Sequence, residues 1–122
     1  MTANPFVILY VEDDELVRES FAEALATADR RVVAVADVAS AREALRENNV
    51  NLLMTDLNVG SESGHEFASE ALQQNPKLPV IVCSGHDSRA VVRSLGPTAH
   101  ALRKPVELGE LEALIERLAR AT

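Results

Sequence analysis

Four acidic side chains stand in a row directly behind a continuously apolar run near the start of the chain. The run covers Phe6–Val11, and the acids are Glu12, Asp13, Asp14 and Glu15. Adjacent carboxylates raise one another's pKa, and a hard divalent cation with oxygen ligands relieves their repulsion. The cluster taken alone is therefore typical either of a metal site or of a solvated acidic surface patch. Asp14 and Glu15 also suit the first turn of a following helix, where the macrodipole favours negative charge.

Three later apolar runs also end in groups that could take part in chemistry. Asp56 follows one run, Ser84 closes the next, and Lys104 follows the last. If these runs are parallel strands, their carboxyl ends lie at one edge of a sheet, so the acids, the hydroxyl and the ammonium should converge there. A hydroxyl and a lysine beside Mg²⁺ are the groups that a phosphoryl group needs around its oxygens.

Short apolar runs alternate with longer amphipathic segments along the whole sequence. The runs are Phe6–Val11, Arg31–Ala36, Val50–Thr55, Pro79–Ser84 and His100–Arg103. Stripes with helical spacing lie between and after them: Val17, Phe21, Ala24 and Leu25; Ala41, Ala44 and Leu45; Phe67, Ala71 and Leu72; Ala90, Val91 and Leu95; and Leu108, Leu111, Leu114, Ile115 and Leu118. Ser40 suits the start of the second helix. Alternation repeated five times predicts an α/β fold with a doubly wound, five-stranded parallel sheet and five helices.

The composition limits the classes of function. The 122 residues carry a formal net charge of −7, which argues against a general affinity for DNA or RNA. The single Cys83 excludes an internal disulfide, in agreement with a reducing compartment. No apolar run approaches the roughly 20 residues of a membrane span, and the N-terminus lacks the basic start of a signal peptide. We therefore expect one cytoplasmic domain with no membrane insertion and no direct nucleic-acid partner.

The arrangement resembles the receiver domain of two-component response regulators, as in chemotaxis regulators, over essentially the whole chain. The matching residues are the pair Glu12-Asp13, Asp56 in "LLMTDLNVGSESG", Ser84 in "VIVCSGHD" and Lys104-Pro105 in "LRKPVEL". The resemblance implies a flavodoxin-like fold with strand order 2-1-3-4-5 and a single receiver domain over residues 1–122.

The resemblance also implies a metal site and an acceptor. Asp56 would be the phosphoacceptor, a carboxylate nucleophile that takes a phosphoryl group from a histidine. Asp13, Asp56 and the main-chain carbonyl of Asn58 would bind Mg²⁺ directly. Glu12 would hold the metal through water, because its longer side chain replaces the commoner Asp.

The resemblance implies a phosphorylation switch rather than a conventional enzyme. Ser84 would donate a hydrogen bond to the phosphoryl group, and Lys104 would pair with it. The domain would catalyse its own aspartyl phosphorylation and slow dephosphorylation, with a sensor histidine kinase or a histidine phosphotransfer protein as partner. Only four residues follow the last apolar stripe, so we expect no output domain in this sequence. The oligomeric state stays open.

Two positions depart from the family pattern. Gly60 stands where a Pro commonly follows the acceptor, so this loop should be looser. Ala101 stands where an aromatic residue usually changes rotamer on phosphorylation. We therefore hypothesise that phosphorylation changes the loop at Ser84 and the start of the fourth helix, with little rearrangement at Ala101. The resemblance also predicts a cis peptide bond before Pro105, with Lys104 turned toward the site.

Two other interpretations stay open at the level of the sequence. A receiver-like module that no longer takes phosphate would act by binding alone. Glu12 with Asp56 and Asn58 also resembles the metal-binding acids of Toprim-type enzymes. That family, however, requires a second acid where Asn58 stands, and an acidic chain suits nucleic acid poorly.

Overall fold

Strands alternate with helices in the computed structural model, which describes residues 5–120. The strands are β1 (Phe6–Val11), β2 (Arg30–Val35), β3 (Leu52–Asp56), β4 (Asn58–Val59), β5 (Glu62–Ser63), β6 (Val80–Ser84) and β7 (Ala99–Arg103). The helices are α1 (Glu15–Leu25), α2 (Val38–Glu47), α3 (Gly64–Gln74), α4 (Arg89–Leu95) and α5 (Leu108–Arg120). One parallel sheet has the order β2-β1-β3-β6-β7, and β4 pairs with β5 in an antiparallel hairpin. The predicted doubly wound fold, with its five sheet strands in the order 2-1-3-4-5, is confirmed.

Both faces of the central strands β1, β3 and β6 are covered, and this explains why these strands read as apolar runs. Successive side chains of a strand point to opposite faces. Val7, Leu9 and Val11 of β1 therefore pack with residues of α2 and α3, whereas Ile8 and Tyr10 pack with residues of α1 and α5. The carboxyl end of β1 is thus held from both sides, which fixes where the acidic cluster begins.

The helices differ in how closely they pack on the sheet. Most stripe residues of α2, α3 and α5 are buried, as predicted. Leu45 and Leu72 are only partly buried, and Leu108 is 41% exposed. In α1 only Leu25 is buried, Val17 is 36% exposed, and Ala24 is also exposed. In α4, which has seven residues, none is buried, so the stripe predicted from Ala90 is at most half-covered. None of the helices within residues 5–120 is both long and apolar enough to cross a membrane.

Short acidic side chains determine where α1 and α2 begin. Asp14 caps α1 and Asp37 caps α2, each by accepting a hydrogen bond from the backbone N–H three residues further along. Ser40 is that donor in α2, so the prediction that Ser40 starts the helix is wrong by three residues. Asp and Ser both suit the capping position, so the sequence alone does not distinguish Asp37 from Ser40.

Candidate functional site

Three carboxylates meet at the carboxyl ends of β1 and β3. The two strands are neighbours, and their register pairs Val11 with Thr55, so Glu12 and Asp56 follow side by side. Glu12 and Asp56 are buried, whereas Asp13 is exposed. One carboxylate oxygen from each of Glu12, Asp13 and Asp56 lies within 4.8 Å of the other two, and this is the only such group of three ligating side chains within residues 5–120. Parallel topology has thus brought the predicted acids together.

Lys104 provides the positive charge next to these carboxylates. Its Nζ lies 2.9 Å from Oδ1 of Asp56 and 3.6 Å from Oε1 of Glu12. The backbone N–H of Lys104 donates to the carbonyl of Ser84 over 2.8 Å, which continues the pairing of β6 with β7. The peptide bond between Lys104 and Pro105 is cis, so this prediction is confirmed, and the ammonium lies at the carboxyl edge of the sheet as expected.

Burial and mutual contact shift the ionisation of these groups. The pKa of Glu12 is raised to about 7, chiefly by burial and further by the neighbouring Asp56 carboxyl, against the opposing effects of the Asp14 N–H and of Lys104. Burial disfavours the charged form of Lys104, but contact with the Asp56 carboxylate outweighs it and holds the pKa of Lys104 above its usual value. One ammonium therefore compensates only part of the negative charge that the acids can carry.

The β4–β5 hairpin holds the exposed carboxylate of Asp13. The backbone N–H of Gly60, at the tip of the hairpin, donates to Oδ2 of Asp13 over 3.1 Å. Gly60 has a φ of +62°, a left-handed conformation that favours glycine. On the other side of the turn, Oε1 of Glu62 accepts a hydrogen bond from the N–H of Val38 over 3.3 Å. The hairpin therefore joins Asp13 to the start of α2. The prediction of a looser loop at Gly60 did not include these two contacts.

The donor set fits a hard divalent cation such as Mg²⁺. It consists of carboxylate oxygens, and the exposed Asp13 leaves one side open to the water that Mg²⁺ usually retains. Asn58 lies two residues after Asp56, and its main-chain carbonyl could add a further oxygen. The second oxygen of Asp13 remains free of the Gly60 contact and so available to a metal.

Ser84 lies at the end of β6 and is buried beside the carboxylates. The register pairs Asp56 with Cys83, which places Ser84 one residue further toward the carboxyl edge. Its Oγ accepts a hydrogen bond from the N–H of His86 over 3.0 Å, and its own O–H remains able to donate. The loop is also held by Arg103, whose Nε donates to the carbonyl of Gly85 over 3.2 Å. Sequence reasoning assigned Arg103 no role.

Two residues that the sequence analysis did not single out support the backbone of Asp56. The hydroxyl of Thr55 donates to the Asp56 carbonyl over 2.9 Å. Gly64, the first residue of α3, lies so close to the same carbonyl that a Cβ at this position would overlap it. The N–H of Gly64 also donates to the carbonyl of Leu57 over 2.8 Å. The only signal in the sequence was a lone glycine before an amphipathic segment, which many loops share.

The predicted site residues thus lie at one edge of the sheet. The carboxylates of Glu12, Asp13 and Asp56 and the ammonium of Lys104 are in mutual reach, and Ser84 stands on the adjacent strand. Such a site can bind a cation, present a carboxylate nucleophile and stabilise added negative charge from an ammonium and a hydroxyl.

Comparisons with known proteins give one consistent family. The family model described as the response regulator receiver domain matches residues 8–116. The chain is 30% identical to the response regulator protein FleR of Pseudomonas aeruginosa over 92% of its length, but it spans only 24% of that relative. It is 32% identical to the response regulator receiver protein CpdR of Brucella abortus, with 91% of this chain and 94% of that protein covered. Among solved structures, the chemotaxis protein CheY4 of Vibrio cholerae shares the fold with a TM-score of 0.83 at 21% identity, covering 93% of this chain and 98% of the other.

Proposed function

Because the chain belongs to the response regulator receiver domain family, we propose that it accepts a phosphoryl group from a histidine onto Asp56 in a Mg²⁺-dependent reaction. The observation that carries the proposal is the placement of Asp56. Its carboxylate is 2.9 Å from the Lys104 ammonium and belongs to the group of three acids that can hold a cation. A nucleophile, a charge-neutralising lysine and a metal site are the parts that phosphoryl transfer requires.

In the proposed reaction, a carboxylate oxygen of Asp56 forms a bond to phosphorus as the phosphorus–nitrogen bond of a phosphohistidine breaks. The electron pair of that bond leaves on the imidazole nitrogen. Lys104 pairs with a phosphoryl oxygen, and the Ser84 O–H donates to another. Mg²⁺, when bound by Asp13, Asp56 and the Asn58 carbonyl and by Glu12 through water, would supply neutralising charge at the transferring group. The protein otherwise contributes positioning, which is most of the catalysis in this reaction class.

The proposed partner is a sensor histidine kinase or a histidine phosphotransfer protein, and the proposed location is the cytoplasm, where such donors are charged from ATP. Exposed apolar side chains at the carboxyl edge of the sheet support such a partner. Leu16 is 77% exposed and Leu108 is 41% exposed, and α1 and α5 both start at the carboxyl edge of the sheet. A partner that covers these residues would bring its histidine close to Asp56. We also propose that residues 1–122 form a single receiver domain.

Incubation with acetyl phosphate and Mg²⁺, followed by intact mass measurement, tests the proposal. We expect the mass gain of one phosphoryl group, which hydroxylamine should remove because an acyl phosphate is labile to it. Asp56→Asn keeps the shape of the side chain but removes the nucleophile. This variant should gain no phosphoryl mass, and a cooperative melting transition should show that it is still folded. A stoichiometric gain by Asp56→Asn would exclude Asp56 as acceptor. No gain by the wild-type chain, with either acetyl phosphate or a phosphohistidine donor, would instead favour a module that acts by binding alone.

A further inference from the structure

A cavity of about 210 Å³ opens between α1 and the start of α5, next to the acidic site. Its apolar walls include Val17 and Phe21 of α1, Val106, and Leu111 of α5. Glu12, Asp56 and Lys104 line its polar end. The cavity exists because α1 packs loosely: Val17 is 36% exposed and Phe21 is only half-buried. Neither the metal site nor the proposed phosphoryl transfer requires this apolar space.

Tyr10 gives the cavity a polar group that has no hydrogen-bond partner among the protein groups of residues 5–120. Its side chain is only 4% exposed, and its ring packs edge-on against Phe21 with centroids 6.4 Å apart. The Tyr10 hydroxyl makes no hydrogen bond to another group within residues 5–120. In that part of the chain, every fully enclosed side-chain polar atom has a partner, so the Tyr10 hydroxyl is not fully enclosed. The hydroxyl must therefore face the open space of the cavity. Buried tyrosines ordinarily find a hydrogen-bond partner, so this group is available to a bound molecule.

The size and charge of the cavity define the ligand that it fits. An apolar cavity of about 150 Å³ is large enough to hold benzene, so this one accepts a single aromatic ring with a short substituent. At the polar end, the carboxylates of Glu12 and Asp56 face the single ammonium of Lys104, which leaves an excess of negative charge. A positively charged substituent complements that end, whereas a carboxylate would be repelled.

We propose that this cavity binds a small aromatic amine, with its ring between α1 and α5 and its ammonium toward Glu12 and the Tyr10 hydroxyl. A ligand placed there lies beside Asp56 and Lys104. Its ammonium would therefore compete with a divalent cation for the same carboxylates. This competition rests on the proposed metal site, whereas binding of the amine does not.

Titration of the ¹⁵N-labelled chain with benzylamine, without metal and at neutral pH, tests the binding. We expect saturable shifts at Val17, Phe21 and Leu111, with a dissociation constant on the order of 1 mM for a ligand of about eight non-hydrogen atoms. Benzyl alcohol has the same ring without the charge and should bind about tenfold more weakly, and benzoate should not saturate. Absence of saturable binding by benzylamine would overturn the proposal, as would equal binding of all three compounds or shifts confined to the acidic residues.

Two variants separate the cavity from the acidic surface. Val106→Phe fills the cavity and should abolish benzylamine binding, whereas Tyr10→Phe removes only the hydroxyl and should weaken it about tenfold. If Val106→Phe does not fold, Val106→Leu provides a smaller filling with the same expected direction. Unchanged binding by both variants would overturn the proposal. Benzylamine titrated against Mg²⁺ then measures the competition: binding of the amine with no response to Mg²⁺ would leave the cavity assignment standing and count against the metal site.

Discussion

Gly64→Ala should disturb the proposed phosphoacceptor without touching any group that reacts. Gly64 begins α3, and a Cβ built on it would overlap the carbonyl oxygen of Asp56. It would also lie 3.0 Å from the carbonyl carbon of Asp56 and 3.0 Å from Oγ1 of Thr55. The nearest obstacle is backbone rather than the end of a flexible side chain. Either the end of β3 or the start of α3 must therefore move.

The cost has two parts. Overpacking at a buried position costs typically about 1–3 kcal/mol. Separation of α3 from β3 would also weaken the 2.8 Å hydrogen bond from the Gly64 N–H to the Leu57 carbonyl, which is worth about 0.5–1.5 kcal/mol. We expect the free energy of unfolding to fall by about 2–4 kcal/mol, or roughly 8–16 °C in melting temperature for a domain of this size. Because the displaced carbonyl belongs to Asp56, phosphoryl acceptance should slow as well.

Urea unfolding and the rate of phosphorylation by acetyl phosphate, both below the melting temperature of the variant, measure the two effects. Gly85→Ala is the matched control, since a Cβ at Gly85 meets nothing within 4 Å and its φ is not in the left-handed region. It should change stability by less than about 1 kcal/mol. If Gly64→Ala proves as stable as Gly85→Ala, the close packing of α3 on Asp56 is refuted. If it is destabilised but phosphorylated at the wild-type rate, Gly64 does not position the acceptor.

Four further outcomes are expected. Mg²⁺ or Mn²⁺ should raise the melting temperature, by the equivalent of about 2.7 kcal/mol at a hundredfold excess of metal over the dissociation constant. Asp13→Asn should remove most of this shift. If calorimetry shows an equal shift in the wild-type protein and the variant, the metal site is contradicted. Gly60→Pro lacks the N–H that holds Asp13 and cannot adopt the φ of +62°, so it should release Asp13 from the hairpin and weaken Mg²⁺ binding about tenfold by calorimetric titration. Gly60→Asn, which keeps the N–H and tolerates the left-handed region, should retain affinity. Burial and Arg117 lower the pKa of His100, so the unfolded chain binds its proton first and the contribution of His100 to stability should fall as the pH drops below about 6.5. The raised pKa of Glu12 acts in the opposite direction, so comparison of the wild-type and His100→Gln urea-unfolding profiles isolates the His100 contribution. Ala101 is exposed on β7 and has no rotamer to change, so amide exchange with a phosphoryl mimic should change mainly near Ser84, and equal changes along β7 and α5 would contradict this.

The sheet and the placement of the site could be predicted because both depend on local pattern. The central strands β1, β3 and β6 are covered on both faces and are therefore apolar at nearly every position, whereas the partly exposed edge strands β2 and β7 show mixed runs. Polar groups directly after such runs then share one edge, whatever the details of packing. This is why Glu12, Asp56 and Lys104 could be brought together without coordinates. The cis bond before Pro105 came from the family resemblance, since nothing in the residues alone distinguishes it.

The features that escaped prediction depend on distances between elements that are remote in sequence. Gly60 and Asp13 are 47 residues apart, and their contact requires the β4–β5 hairpin, whose two-residue strands have no detectable periodicity. The cavity beside Tyr10 depends on how far α1 stands from the sheet. An apolar stripe indicates which face of a helix is turned inward, but it does not indicate how closely that face packs.

The four consecutive acids are not equivalent, and this explains how the chain accommodates their repulsion. Glu12 is 3% exposed and turned toward Lys104, whereas Asp13 is exposed and held by Gly60. Asp14 caps α1, and Glu15 lies in the first turn of that helix, where negative charge is favoured. Only the first two acids therefore join Asp56, and Lys104 compensates one of the three negative charges that these acids carry when all are ionised. A divalent cation would balance the remaining two. Transfer of a phosphoryl group would then return negative charge to the site, which the Lys104 ammonium, already 2.9 Å from Asp56, is placed to meet.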